Sequence, residues 1–184
     1  MEPAFDYTEL ESADGLIAFT QQLMNGERPG VLTTMGPDGY PHARWMGTLS
    51  LEEFPRLYAL TSPSSLKVFH VHTHPHVEWM FTNEDQAIVL NLKGTACIYS
   101  EIRDMKRIWR MISDKSKAYF LDSFTKGAGF CVIETVLSGI ECNIPKNDRR
   151  ISVEVDADGV LSPGKVTSLF SAPAEPAIIL KPQI

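Results

Sequence analysis

The sequence has no C-x-x-C pair, no excess of positive charge, no long apolar run and no internal repeat. Each absence excludes something. The three cysteines, Cys97, Cys131 and Cys142, are odd in number and scattered. That argues against a disulfide framework or a thiolate zinc site and points to a reducing compartment. A formal net charge of −6 gives no basic field for a phosphodiester backbone, so nucleic acid is not an expected partner. No apolar run approaches the roughly 20 residues that span a bilayer, so no membrane is expected either. The acidic first six residues lack the basic and apolar regions of a secretion signal. The expectation is a cytoplasmic protein.

What is present suits one compact domain. Hydrophobic residues make up 43% of 184, enough for a real core. Thr8-Glu9-Leu10-Glu11 has the form of a capping box, and Leu10, Ala13, Ile17 and Met24 follow near helical spacing. Asn25-Gly26 then stops the pattern, so a helix is expected over residues 9–24.

The middle of the chain reads as β. Residues 31–35 form a short β-branched run before the turn signal Gly36-Pro37-Asp38-Gly39, and residues 42–49 look like the returning strand. Further strands are expected at 56–61, 77–81 and 87–99, the last with a bend or bulge at Gly94. Ser100 could cap a second helix whose buried face carries Ile102, Met105, Trp109 and Ile112. Two β segments, 130–135 and 139–144, close the series. Antiparallel strands with a few short helices predict an α+β chain built as a small barrel, not a parallel doubly wound sheet. Composition shifts after Pro145, so residues 1–145 form the main unit and 146–184 a C-terminal extension. The extension allows a hairpin about Asp158-Gly159 and then a proline-rich tail.

The stretch richest in chemistry is Thr61-Ser62-Pro63-Ser64-Ser65-Leu66-Lys67. It follows a strand and precedes a short helix, and it gathers four hydroxyls and a lysine. A helix N-terminus with free N–H groups suits a phosphate, and Lys67 adds a point charge. The same hydroxyls also suit plain helix caps, and both readings stand on spacing alone. If the strands around Arg44 and Thr61 form a hairpin, symmetric register pairs Thr48 with Leu57 and Arg44 with Thr61. A guanidinium would then stand at the mouth of the hydroxyl turn. The competing reading is a strand-end arginine in water.

These residues resemble a known family. Arg44-Trp45-Met46-Gly47-Thr48, Leu57-Tyr-Ala-Leu-Thr61-Ser62 and Ser65-Leu-Lys67 are similar to the pyridoxamine 5'-phosphate oxidase-like split barrels, nearest their general-stress-protein branch. The likeness continues through Pro75-His76-Val77-Glu78-Trp79, Leu92-Lys-Gly94-Thr95-Ala96 and Lys106-Arg-Ile-Trp109, over roughly residues 9–144. It implies a Greek-key split β-barrel, a homodimer, and FMN in the groove between subunits. Arg44, Ser65 and Lys67 would hold the FMN phosphate, Thr61 and Ser62 would line the pocket, and the Trp45–Met46 backbone would face the flavin ring. An oxidoreductase is implied, with a flavin-binding stress or sensor protein as the alternative, or a barrel using deazaflavin or haem.

The chain departs from true pyridoxamine phosphate oxidases, which place an arginine and a histidine near the C-terminus to grip the substrate phosphate. Here the last arginine is Arg150 and the last histidine His76. Those oxidases also carry a lysine just beyond the position of Arg44, where this chain has Gly47-Thr48-Leu49. Vitamin B6 oxidation is not expected.

His70, His72, His74 and His76 invite a metal reading. On a helix only His70 and His74 could chelate together, Pro75 ends the pattern, and no cysteine or carboxylate completes a set. The expectation is no metal and a solvated, polar helix end. No Ser-His-Asp arrangement is readable, so no catalytic residue is assigned.

Overall fold

The computed structural model describes residues 8–25, 29–49, 54–101, 106, 110, 129–156 and 158–169. A 3-10 turn at Glu9–Glu11 leads into helix α1, Ala13–Asn25. The cap is Ser12 rather than Thr8. The Ser12 hydroxyl accepts the Gly15 N–H at 3.0 Å and donates to the Glu9 carbonyl at 2.9 Å. The capping-box reading therefore starts the α-helix one turn too early, because the first turn tightens to 3-10 geometry.

The strands are β1 (Gly30–Met35), β2 (Pro41–Met46), β3 (Arg56–Thr61), β4 (His76–Thr82), β5 (Val89–Tyr99), β6 (Cys131–Ile144), β7 (Arg149–Glu154) and β8 (Lys165–Thr167). Helix α2, Leu66–Thr73, joins β3 to β4. Every pairing is antiparallel, in the order β2-β1-β4-β5-β6-β7-β8, with β3 also on β6. The architecture is mainly β with helices, the Greek-key split barrel that the resemblance implies.

Strand β6 organises the sheet. The two expected segments at 130–135 and 139–144 are one continuous strand. Its first half, residues 131–136, pairs with β3, and its second half, residues 139–144, pairs with β7, while β5 runs along its other side. The expected bulge occurs at Gly94. Lys93 pairs with Gly139 and Gly94 with Leu137, so the extra residue is Ser138 on β6. A Cβ on residue 94 would lie 2.5 Å from the Val136 carbonyl oxygen, a contact only glycine avoids. The bulge bends the ladder and helps the sheet curl. Past β2, Leu49 meets Tyr58 of β3 through one isolated bridge, and among the described residues the sheet goes no further towards closure.

Alternation along the strands sends one face inward. Leu32, Val77, Trp79, Phe81, Leu90, Leu92, Ala96, Ile133 and Ile140 form the core with Leu10, Leu16, Phe19 and Met24. Ile151 and Val153 of β7 share this core. Trp79 is fully buried, and its indole N–H donates to the Thr135 hydroxyl at 3.1 Å. A second, smaller cluster of Leu49, Tyr58, Leu60 and Val132 covers the other face of β3 and β6. Ile102, Met105, Trp109, Ile112 and the proline-rich tail lie outside the described residues. No helix among the described residues is long and apolar enough to cross a membrane.

Candidate functional site

The hydroxyl turn sits between the end of β3 and the start of α2. Ser65 takes the N-cap position in extended geometry, but its hydroxyl makes no cap bond. It lies instead 3.3 Å from the Thr61 hydroxyl, which also accepts a hydrogen bond from Lys67 Nζ at 3.0 Å. Ser62 and Ser64 pair their hydroxyls at 3.0 Å, and the Ser65 N–H donates to the Ser62 carbonyl at 3.1 Å. The plain-cap reading of this turn therefore does not describe Ser65, whose hydroxyl faces the Lys67 side.

Arg44 approaches from β2, half-buried, and its Nη1 donates to the Thr34 hydroxyl of β1 at 2.7 Å. The expected β2–β3 register is not formed: among the described residues the two segments meet only beyond β2, at the Leu49–Tyr58 bridge. Arg44 pairs with Leu32 and Thr61 with Cys131. The physical reason is that β3 pairs with β6 along its whole length, while β2 is held on one edge by the tight turn after β1. Gly39 there adopts φ 79°, its N–H bonds the Gly36 carbonyl at 3.0 Å, and Asp38 accepts the Tyr40 N–H at 3.1 Å.

Arg44 and Lys67 nevertheless come close enough to repel, because α2 packs across β1. Burial pushes the pKa of both below its ordinary value, and at Lys67 the Arg44 charge adds to the effect. Among the described residues, neither cation has a carboxylate within ion-pair reach. Two half-buried neighbouring cations, one of them on the hydroxyl turn at the start of α2, form a region short of negative charge, which fits a phosphomonoester.

Trp45 and Met46 do not enter this cluster with their side chains. Trp45 points outward and is 69% exposed, while Met46 packs into the core. The backbone of both lies along the edge of β2 that no described strand pairs.

Thr34 and His70 are the residues missed from sequence. His72, His74 and His76 are exposed, as a polar helix end requires, but His70 is buried and its Nδ1 lies 2.9 Å from the Thr34 hydroxyl. The signal lay in spacing: His70 follows Lys67 by one helical turn, and Thr34 alternates with buried Leu32. Burial, then the nearby His42 and Arg44, hold the His70 pKa below the usual 6.5. Among the described residues, no group of three or more His, Cys, Asp or Glu side chains is placed to hold a metal.

The fold is similar to that of a pyridoxamine 5'-phosphate oxidase-related, FMN binding protein from Nostoc punctiforme. The two are 16% identical with a TM-score of 0.66, covering 84% of this chain and 95% of that one. A Clostridium acetobutylicum protein related to general stress protein 26 of B. subtilis is 16% identical, with a TM-score of 0.64 over 77% and 95%. PhzG from Burkholderia lata, solved with tetrahydrophenazine-1-carboxylic acid, is 12% identical, with a TM-score of 0.61 over 91% and 98%. No curated protein matches the sequence. The family model for pyridoxamine 5'-phosphate oxidase matches residues 17–139, which run from α1 through the bulge on β6. On that span, the chain belongs to the pyridoxamine 5'-phosphate oxidase family.

Proposed function

We propose that this chain is an FMN-binding flavoprotein, a homodimer that acts as an oxidoreductase on a small substrate. The observation that carries the reading is the pairing of two neighbouring cations, Lys67 held on Thr61 of the hydroxyl turn and Arg44 held on Thr34 of β1, with no carboxylate in ion-pair reach of either among the described residues. Arg44, Lys67 and Ser65 hold the FMN phosphate, and Thr61 and Ser62 line its pocket. The open edge of β2 at Trp45 and Met46 presents backbone groups to the flavin ring. Bound flavin supplies the hydride or electron chemistry, and the protein supplies binding and orientation. The FMN binding named for the Nostoc punctiforme protein supports this choice of cofactor.

We propose a substrate other than pyridoxamine phosphate. Arg149 is ion-paired with Glu11, and Arg150 lies 3.7 Å from Glu141 and donates to Asn143 at 3.3 Å. Arg149 and Arg150 thus each already have acidic or amide partners within the chain. We place the protein nearest the general-stress branch, a placement supported by the likeness to the Clostridium acetobutylicum protein. A cytoplasmic setting suits its three free thiols.

The test is the visible spectrum of the purified protein, with the released chromophore identified by mass. FMN is the expected chromophore. A deazaflavin or haem in its place overturns the reading.

A further inference from the structure

Thr34 and His70 are 1% and 3% exposed beside the proposed phosphate site, and their hydrogen bonds can be followed proton by proton. Arg44 carries only donors, so the Thr34 oxygen accepts from it. The single Thr34 hydroxyl proton then points at His70 Nδ1, 2.9 Å away. That requires a bare Nδ1 and a proton on Nε2, the tautomer in which His70 is neutral. A protonated His70 would turn a second N–H on the same oxygen and strand the threonine proton in a buried place. The groups that face His70 are Thr34 from β1, Arg44 and His42 from β2, Asp38 from the turn between them, and His74 from its own helix. The His42 ring lies 4.9 Å from the His70 ring, centroid to centroid, and its Nε2 is 3.4 Å from Asp38.

We propose that His70 is a positioning residue for Arg44: through the Thr34 hydroxyl, its bare Nδ1 fixes the guanidinium in the direction that meets the ligand phosphate. This rests on the FMN reading and adds to it a second layer that the binding residues alone do not supply. His70 itself touches no cofactor. It orients a hydroxyl, and the hydroxyl orients the cation.

The experiment titrates FMN and riboflavin against wild type, His70→Phe, His70→Asn, Thr34→Val and the double variant of His70→Phe with Thr34→Val. Asparagine can place a carbonyl oxygen near the Nδ1 position and accept the threonine proton. The ratio of FMN to riboflavin affinity is expected to fall about three- to tenfold in His70→Phe and in Thr34→Val, the size of one lost buried hydrogen bond. His70→Asn keeps the ratio, and the double variant loses no more than either single change. Thr34→Val preserves shape and decides the case should His70→Phe not fold. An unchanged ratio in Thr34→Val, or an equal loss in His70→Asn and His70→Phe, overturns the positioning role and leaves the FMN site standing. Equal affinity of the wild type for FMN and riboflavin overturns the FMN reading, and this role falls with it.

Discussion

Lys67 reaches back over the first turn of α2 and donates to the Thr61 hydroxyl at 3.0 Å, and the Ser65 hydroxyl lies 3.3 Å from the same oxygen. One threonine at the end of β3 therefore anchors both the cation and a hydroxyl of the turn. Thr61→Val keeps the β-branched shape and removes that anchor. FMN binding is expected to weaken by about 0.5–1.5 kcal/mol, the net worth of an ordinary hydrogen bond. Isothermal titration checks it, and unchanged affinity would separate Thr61 from the site.

Acid should loosen the fold through His70. Its pKa in the folded protein lies below the ordinary 6.5, so the folded state binds fewer protons than the unfolded state across that window. Its contribution is fully present above 6.5 and is lost as pH falls through the lower folded value. Denaturant midpoints measured from neutral pH downward are expected to drop in that range for wild type and to drop less for His70→Asn. Identical pH profiles for the two proteins would contradict this.

Much of the fold was legible because local signals agreed with tertiary structure. β3 at Arg56–Thr61 matches its sequence reading, and the Gly36–Gly39 turn and the Gly94 bulge fall where glycine chemistry places them. The β2–β3 register was not legible. It depends on which neighbour claims each strand, and the long-range partner β6 takes β3 along its whole length. The continuity of β6 was hidden for a similar reason: Ser138 looks like a break, but the bulge absorbs it. At the site, the hydroxyl turn and Lys67 could be read from one segment. For Thr34 and His70 the spacing gave each its face but not their contact, which only the packing of α2 on β1 makes.

Gly94→Ala tests the bulge. The added Cβ would meet the Val136 carbonyl oxygen at 2.5 Å and the Thr135 methyl at 2.7 Å, and backbone cannot easily give way. A loss of about 1–3 kcal/mol is expected from the overpacking, read as a lower denaturant midpoint. A midpoint equal to wild type would show that the ladder tolerates a side chain there.

Exposed apolar side chains include the chain neighbours of both cations, Trp45 beside Arg44 and Leu66 beside Lys67. Trp45, Tyr40, Leu66 and Phe69 are 69%, 70%, 74% and 53% exposed. A second copy of the chain would cover such a surface, and light scattering is expected to give about twice the 20.5 kDa chain mass. A mass near 20.5 kDa with flavin added would contradict the dimer.

The central claim is that Arg44 and Lys67 read a phosphate. Titration of FMN and riboflavin against wild type, Arg44→Ala and Lys67→Ala, followed by flavin fluorescence, tests it most directly. Each substitution removes one charge-assisted hydrogen bond in a partly desolvated groove, so FMN should bind about 1.5–3 kcal/mol more weakly. That loss is about tenfold to a hundredfold in affinity. Riboflavin, which lacks the phosphate, should bind each variant as it binds wild type. Equal losses for the two ligands, or no loss for either, would contradict the account.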